Sequence, residues 1–319
     1  MTFKEAYDYG VEQLQGSGIK EAKQDSFYLL EHITGMSRGK YYAMNQQEMP
    51  SEEKKEYIAL IHQRMRRIPL QHLIGTTEFM GLTFKVSPHV LIPRQDTELL
   101  VETALEWIGK ALRRDREKFE SEHKLYKKRG SKADQIRGAK EELRILDMCT
   151  GSGCILISIL HYATKEYPII RGVGVDISPD ALEIAEENAK ENGLKSVRNA
   201  ETQIAFIESD LFAQLNPEEK YHLIVSNPPY IPTKEIEGLD EEVRSDPTLA
   251  LDGREDGLYF YRQIVEKSPH YLVEGGVLMV ECGWTQGEEV SQMMRENGFS
   301  QVEIIKDLNG RDRVVVGNQ

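Results

Sequence analysis

Residues 227–230 bring together groups whose types and spacing suit one kind of chemistry. They are Asn227, Pro228, Pro229 and Tyr230. Because each proline lacks a backbone N–H and fixes φ, the carbonyl groups of this turn are not consumed by a helix or a β ladder and stay free to accept hydrogen bonds. The Asn227 amide offers one acceptor oxygen and two donor hydrogens, and Tyr230 offers a flat ring. These groups suit a planar ligand that carries an NH2 group, although an ordinary proline turn with a satisfied asparagine has the same sequence.

A buried strand must position this tetrapeptide. The apolar run 221–225 and then Ser226 directly precede Asn227. In an open α/β sheet, ligands bind just outside the carboxyl ends of the strands. We therefore expect residues 227–230 at a ligand site on that edge of a sheet.

A second motif, at residues 144–155, has the pattern of a strand, a glycine turn and a helix start. Glycines in such a turn let the backbone approach a ligand closely. The next predicted strand ends in Asp176, after which Ser178 and Pro179 supply a helix cap and a first helical residue. An acid at the tip of the second strand is placed to bind both hydroxyls of a ribose. The two motifs together predict a cofactor that contains a nucleoside.

Two cofactors fit that description, and the residues favour one of them. A dinucleotide fingerprint needs a glycine three residues after its second glycine, where this chain has Leu156. Asp147, which precedes the turn, would repel a pyrophosphate but can hold the ammonium group of a methionine. S-adenosylmethionine therefore fits better on charge than a dinucleotide.

The remaining pattern predicts a mostly parallel sheet with one antiparallel strand. Further strands are expected near 205–207, 223–225 and 276–281, with helical spacers between them, and segments 302–307 and 313–316 close the chain as a hairpin.

The N-terminal part of the chain has a helical pattern, with Ser51 expected to cap one helix, and it is followed by a predicted hairpin at 77–86. The expected domains are 1–75, helical and substrate-docking; 76–98, a β-hairpin and linker; 99–143, a linker helix and charged excursion; and 144–319, which binds S-adenosylmethionine.

Residues 113–142 are almost without aliphatic side chains. A segment of this kind buries little area, so we interpret it as a surface excursion that is partly helical or disordered and that follows a helix ending near Leu112. A nucleic-acid-binding tail is the alternative, and the acids interspersed along the segment disfavour it.

The composition limits the class of protein. With 319 residues, 39% of them hydrophobic, the chain can hold a catalytic domain and a smaller one. A formal net charge of −13 argues against stable nucleic-acid binding through phosphate contacts. The three cysteines have no metal-like spacing, and the sequence shows neither a signal-peptide pattern nor a membrane span. A cytoplasmic protein with no membrane partner and no metal is expected.

With these pieces assembled, the chain resembles the release-factor glutamine methyltransferases, the PrmC or HemK family, over nearly its whole length. The motifs that carry the resemblance are Leu91 to Glu98, Asp147 to Gly153, Asp176, Asn227 to Tyr230, Leu249 to Gly253 with Asp256 to Leu258, and Glu281 to Gly283 with Gln286 and Gly287. Their combination is specific, whereas any one alone is weak. Family members usually have proline where Gln95 stands, and the charged segment before Arg144 is long for the family.

The resemblance implies a class I methyltransferase domain, a Rossmann-like α/β fold, that uses S-adenosylmethionine and methylates peptide chain release factors. It implies a cofactor site formed by Asp147, Met148, Cys149, Thr150, Gly151, Asp176, Leu211 and Asn227. It implies that Asn227, Pro228, Pro229 and Tyr230 bind the substrate, with Asn227, Pro228 and Tyr230 as catalytic residues. It also implies that Arg94, Thr97 and Glu98 help close the site.

Three other functions remain open. An adenine-N6 DNA methyltransferase uses a similar tetrapeptide around a flipped base, but it needs a basic groove that this acidic chain does not show. A glutamine methyltransferase of a ribosomal protein differs mainly in the substrate that its helical domain docks. A non-catalytic nucleotide-binding protein would keep the glycine turn but would not need Asn227 and Tyr230.

Overall fold

A computed structural model of the protein describes residues 1–128, 142–164, 170–194 and 202–319. Five helices form the N-terminal part of the chain. They are α1 (Phe3–Gly16), α2 (Ala22–Thr34), α3 (Arg38–Met44), α4 (Ser51–Met65) and α5 (Leu70–Ile74). These helices share a hydrophobic cluster of their own, in which Leu14, Leu29, Tyr57 and Ile61 are fully buried. The domain boundaries given above remain a prediction.

The starts of two of these helices differ in how they are capped. Thr2 and Glu5 form a reciprocal capping box at the start of α1. Ser51 was expected to cap α4, but Pro50 is the N-cap and Ser51 is the first helical residue. The prediction was one residue late because proline fixes φ at a value that suits a helix start and donates no hydrogen bond there.

Close packing of α1 against α2 and α4 depends on Gly10. The Ser26 hydroxyl lies within hydrogen-bond distance of the Tyr57 hydroxyl, at 2.8 Å, in this buried contact. A Cβ atom at Gly10 would collide with the Tyr57 hydroxyl and lie 2.6 Å from the Ser26 oxygen. The three helices can approach this closely only because residue 10 has no side chain.

A hairpin and a long helix follow. The hairpin pairs β1 (Thr76–Phe79) with β2 (Leu82–Lys85) in antiparallel register, as predicted. Helix α6 runs from Gln95 to Lys128, so the expected end near Leu112 was wrong. Lys, Arg and Glu are strong helix formers, so the loss of aliphatic residues does not end the helix. The rest of the predicted excursion, 129–141, lies outside the described residues.

Seven strands form the main sheet. They are β3 (Leu143–Met148), β4 (Ile170–Asp176), β5 (Thr202–Glu208), β6 (Tyr221–Ser226), β7 (Leu272–Glu281), β8 (Ser300–Lys306) and β9 (Asp312–Asn318). Their spatial order is β5-β4-β3-β6-β7-β9-β8. Both antiparallel pairings involve β9, which runs against β7 and β8, and the other pairs are parallel. The predicted mostly parallel sheet with one antiparallel strand is confirmed.

Helices cover both faces of this sheet. The helices along and between its strands are α7 (Cys154–Ala163), α8 (Pro179–Glu191), α9 (Thr233–Ile236), α10 (Thr248–Leu251), α11 (Tyr259–Lys267) and α12 (Gly287–Glu296). One hydrophobic cluster packs α6 and α7 on one face, and a second packs α11 and α12 on the other. The result is a three-layer α/β/α domain. In the described ranges, no helix combines the length and apolarity that crossing a membrane requires.

The N-terminal helices contact the rest of the chain through a buried arginine. Arg64 of α4 pairs with Asp25 of α2 at 2.7 Å, and both side chains are almost fully buried. The same guanidinium reaches Glu242, in the segment that follows α9, at 2.8 Å. Burial raises the pKa of Asp25, while its bond to Arg64 opposes that rise. Arg67 also pairs with Glu242, at 3.6 Å, so two arginines next to each other in space join the N-terminal helices to this segment.

We predict opposite effects for the same substitution at two glycines of α1. Gly10→Ala should lower the free energy of unfolding by about 1–3 kcal/mol, because overpacking outweighs the better helix propensity of alanine. Gly16→Ala is the matched control, since a Cβ there meets no atom within 4 Å, and it should raise stability by up to roughly 1 kcal/mol. Denaturant unfolding of the full chain measures both, and equal effects at the two sites would contradict the packing argument.

Candidate active site

A cavity opens where the strand order changes direction. The chain runs from β3 to β4 and β5 on one side and then returns to β6 and β7 on the other, so the carboxyl ends of β3 and β6 flank a topological switch point. The cavity contains about 1180 Å³ of space free of protein atoms, part of it open to solvent. Ligand pockets typically enclose roughly 300–1,000 Å³, so a nucleoside-containing ligand fits here.

Most of the predicted site residues meet at this cavity. Those that line it are Met148, Cys149, Thr150, Gly151, Asp176, Leu211, Asn227 and Pro229. Asp147, Pro228 and Tyr230 are adjacent to it but outside its wall. Arg94 and Thr97 also line the cavity, whereas the Glu98 carboxylate accepts a hydrogen bond from the Met80 N–H of the hairpin at 2.6 Å. The assigned roles of these residues remain predictions.

The turn after β3 presents backbone groups to the cavity. Cys149 and Gly151 both have positive φ, at 62° and 55°. The Thr150 N–H donates to the Val175 carbonyl at 2.9 Å, which ties the turn to the end of β4. A positive φ at a cysteine is strained, and strain of this kind is found where a backbone must approach a ligand.

Asp147 lies beneath this turn. Its side chain is 0% exposed, and its Oδ2 accepts a hydrogen bond from the Thr150 hydroxyl at 2.6 Å. Its Oδ1 has no hydrogen-bond partner among the described residues. Burial and, to a smaller extent, the nearby Asp176 carboxylate together raise the pKa of Asp147 to about 7, while the hydrogen bond from Thr150 opposes the rise. Asp147 is therefore placed to act on a cationic ligand group through its charge rather than by direct contact at the cavity wall.

Asp176 is held at the tip of β4 by two backbone donors. Its Oδ2 accepts from the Gly151 N–H at 2.8 Å and its Oδ1 from the Ser178 N–H at 3.0 Å. Burial raises the pKa of Asp176, and these two hydrogen bonds oppose the rise. Each carboxylate oxygen keeps further acceptor capacity. This geometry suits recognition of two neighbouring hydroxyls, as expected.

Two aliphatic side chains extend the cavity beyond Asp176. Ile177 and Leu211 both line it, and Ile177 is half exposed. Leu211 has a φ of 50°, which its turn sustains because the Ser209 hydroxyl donates to the Leu211 carbonyl at 2.8 Å and accepts from the Gln214 N–H at 2.9 Å. These side chains provide apolar surface for a flat ring. The sequence reasoning found Leu211 but not Ile177.

Asn227 enters the cavity wall from the end of β6. Its Nδ2 donates a hydrogen bond to the Thr97 hydroxyl at 3.2 Å. Tyr230 as a whole residue is partly exposed. Burial of its phenol raises the pKa of Tyr230 well above the usual value, so the hydroxyl stays neutral. Asn227 lines the cavity next to Pro229, and its Oδ1 is the end of the amide that does not contact Thr97.

The tetrapeptide backbone is fixed by residues distant in sequence. The Gln286 Nε2 donates to the Tyr230 carbonyl at 3.0 Å, and its Oε1 accepts from the Gly283 N–H at 3.0 Å. A Cβ at Gly257, where φ is 75°, would collide with the same Tyr230 carbonyl. One at Gly253 would lie 2.8 Å from the Tyr230 backbone. Gly253 and Gly257 therefore let residues 249–258 pack directly against the tetrapeptide.

The rim of the cavity is formed by an ion pair and by side chains that the sequence reasoning did not single out. Arg94 pairs with the fully buried Asp246, whose other oxygen accepts from the Ile92 N–H at 3.3 Å. Further rim residues are His89, Leu249, Arg254, Tyr259 and Phe260. The motif at 249–253 was a signal for this region, but no pattern marked the two aromatic residues.

These residues fit S-adenosylmethionine. Asp176 can accept from the ribose hydroxyls, and Ile177 and Leu211 can flank the adenine. Asp147 lies under the glycine turn, where a cationic amino-acid end would favour its ionised form. The cavity thus offers an apolar wall for the adenine, an acceptor for the ribose and an acidic group near the amino-acid end.

Comparison with known proteins shows which family the chain resembles along its whole length. Residues 5–75 match the family described as the PrmC N-terminal domain, and residues 139–311 match a methyltransferase domain family. The chain is 37% identical to the release factor glutamine methyltransferase of Geobacter sulfurreducens, over 99% of this chain and 96% of that protein. It is 34% identical to the protein of the same name from Moorella thermoacetica, over 98% of this chain and 97% of that protein.

Among solved structures, one similar protein is a release-factor-specific protein-(glutamine-N5) methyltransferase from Alicyclobacillus acidocaldarius. It is 28% identical, with a TM-score of 0.37, and the match covers 74% of this chain and 99% of that one. The full-length identity to the curated relatives, together with the two matched domains, places the chain: it belongs to the release factor glutamine methyltransferase family.

Proposed function

We propose that this protein transfers a methyl group from S-adenosylmethionine to the side-chain amide of the glutamine in the Gly-Gly-Gln motif of peptide chain release factors. The product is N5-methylglutamine. The observation that carries the proposal is that Asn227 and Pro229 lie on the wall of the same cavity as Asp176 and the glycine turn. An amide-binding group and a cofactor-binding group therefore face one space, in a chain that belongs to this family.

The chemistry requires that the site compensate for a poor nucleophile. The lone pair of an amide nitrogen is delocalised into its carbonyl group. If the Asn227 Oδ1 and the Pro228 carbonyl both accept from the substrate NH2, they fix the nitrogen and favour the positive charge that develops on it. Holding two reactants in attack geometry can supply about 7–11 kcal/mol of the barrier. When bound, S-adenosylmethionine supplies an electrophilic methyl group on a sulfonium.

The surroundings of the tetrapeptide support a positioning mechanism. Gln286 and the glycine contacts hold the Tyr230 carbonyl in place, and the two prolines that precede it restrict the backbone that carries the Pro228 carbonyl. The amide proton can leave to solvent after methyl transfer, because the rim of the cavity is open. This mechanism uses no general base.

The partner we propose is an intact release factor in the cytoplasm. A glycine-flanked glutamine enters a narrow cavity as an extended loop with few side chains. A loop that meets ribosomal RNA is expected to be basic nearby, and the net charge of −13 then favours encounter. The N-terminal helices would bind the rest of the release factor, so a short peptide should be a much poorer substrate than the intact protein.

The substrate is tested by incubating the protein with labelled S-adenosylmethionine and four acceptors: an intact release factor, its Gln→Ala loop variant, a peptide of the loop, and duplex DNA. We expect strong labelling of the intact release factor, little labelling of the peptide, and no labelling of the loop variant or of the DNA. Label in DNA, or equal label in the loop variant, would overturn the proposal.

Asn227→Ala should reduce turnover by on the order of 10²–10³, by analogy with the loss of one oriented group at a site of developing charge. Single-turnover methyl transfer measures this step. Asn309→Ala, in the exposed turn between β8 and β9, is the matched control and should transfer at the wild-type rate. A rate for Asn227→Ala close to that of the control would remove the role assigned to Asn227.

Asp176→Ala should weaken binding of S-adenosylhomocysteine by at least about tenfold, because charge-assisted hydrogen bonds to the ribose are lost. Calorimetric titration measures the affinity. Glu183→Ala removes an exposed acid of α8 and controls for the change in charge. Unchanged affinity in Asp176→Ala would show that β4 does not end at the ribose.

A further inference from the structure

Glu281 lies behind the proposed amide site. It is the last residue of β7 and is 2% exposed. Parallel pairing places Ser226 of β6 opposite Val280 of β7. The next residue on each strand, Asn227 and Glu281, therefore leave the sheet side by side at the same edge.

The contacts around Glu281 form a short polar chain. The Thr97 hydroxyl and the Asn227 amide are the side-chain donors that face the Glu281 carboxylate, and both favour its charged form. The Asn227 Nδ2 also donates to the Thr97 oxygen at 3.2 Å. Thr97 and Glu281 are each only 2% exposed, so water does not compete for these bonds. The Oε2 of Glu281 has no partner within the described ranges.

A carboxylate can only accept hydrogen bonds, and this fixes the direction of the whole chain. Thr97 must donate its proton to Glu281, and its lone pairs then accept from Asn227. The NH2 group of Asn227 must also point inward, toward these two acceptors. The Asn227 oxygen is therefore left on the cavity side.

We propose that Glu281 is a positioning residue that orients the Asn227 amide, directly and through Thr97, so that its oxygen faces the substrate NH2. This inference rests on the proposed function and names a residue that supports its amide site. Without such an acceptor, the two ends of an asparagine amide are nearly equal in shape and either one can face the cavity.

A structural ion pair is the alternative role for a buried glutamate, and Arg313 is the nearest candidate. Arg313 instead pairs with Asp96 at 2.9 Å and with Asp307 at 3.4 Å. In the described part of the chain, no ion pair joins Arg313 to Glu281 within 4.0 Å. Arg313 thus contributes charge at a distance, while the hydrogen bonds of Glu281 go toward Asn227.

The state of Glu281 should change near neutral pH. Burial raises the pKa of Glu281 to about 7. The titratable and charged groups that face it are Asp96, Cys154, Tyr230, Tyr261, Cys282 and Arg313. Above that pH the ionised carboxylate only accepts, and below it the protonated form can donate and release the orientation of the amide. Methyl transfer should therefore slow as the pH falls through about 7.

The test compares Glu281→Gln with wild type in single-turnover transfer to an intact release factor at saturating S-adenosylmethionine. Glutamine keeps the shape but can donate, so the rate should fall by at least about tenfold, while the affinity for S-adenosylhomocysteine is unchanged. The part of the pH profile that arises from Glu281 should also disappear, leaving any part due to Asp147. Thr97→Val, which breaks the chain at its middle, should act in the same direction.

A double-mutant cycle separates positioning from general damage. If Glu281 acts through Asn227, Glu281→Gln should cause no further loss in the Asn227→Ala background. Glu274→Gln, at the exposed opposite end of the same strand, is the matched control and should behave as wild type. Equal losses in both backgrounds, or a loss of cofactor affinity in step with the rate, would overturn the inference.

A measurement made without a methyl-accepting substrate tests this inference separately from the proposed function. Hydrogen exchange of the Asn227 side-chain NH2, followed by NMR, should be slow in wild type and in Glu274→Gln and clearly faster in Glu281→Gln. Unchanged exchange would overturn the role of Glu281. If the wild type methylates no release factor but shows this exchange pattern, the proposed function fails while the inference about Glu281 stands.

Discussion

The hydrogen bond from the Ser226 hydroxyl to the Met148 carbonyl, at 2.6 Å and fully buried, joins the ends of β6 and β3. One strand leads into the tetrapeptide and the other into the glycine turn, so this bond sets the separation between the amide site and the cofactor site. The parallel register that places Met148 opposite both Ser226 and Val175 extends the same alignment to Asp176. A shift of one residue in either pairing would turn every side chain to the other face of the sheet. The geometry of the cavity therefore depends on strand register before it depends on any single side chain.

The electrostatics of the site follow from burial. Asp147, Asp176 and Glu281 all lie at the carboxyl edge of the sheet, and burial raises the pKa of each. Their hydrogen bonds come mainly from hydroxyls and backbone N–H groups, and these donors cannot neutralise charge. A cationic ligand gains from this environment, whereas a pyrophosphate would be repelled. The proposed cofactor contacts and the proposed amide site therefore share one acidic, buried edge of the sheet.

The sequence was most informative where structure is decided locally. The Ser178 side chain caps α8 through the Ala181 N–H, with Pro179 in the first turn, as its spacing predicted. The mostly parallel sheet with its single antiparallel strand followed from the pattern and from the family resemblance, whereas the order of the strands came from the structure. The proposed role of Glu281 could not be predicted from the sequence, because it depends on the pairing of β6 with β7. The residues that pair lie at least 46 positions apart in the sequence. The rim aromatics Tyr259 and Phe260 depend on packing in the same way.

The cation at Arg64 gives the N-terminal helices an influence on the cavity. Its partner Glu242 lies four residues before Asp246, the acid that holds Arg94 at the rim. Local melting of α2 and α4 would remove the Arg64 contact from Glu242 and leave residues 242–246 less restrained. Enzyme activity should then fall at a lower temperature than the one at which the main sheet unfolds, because the N-terminal helices support the rim of the cavity.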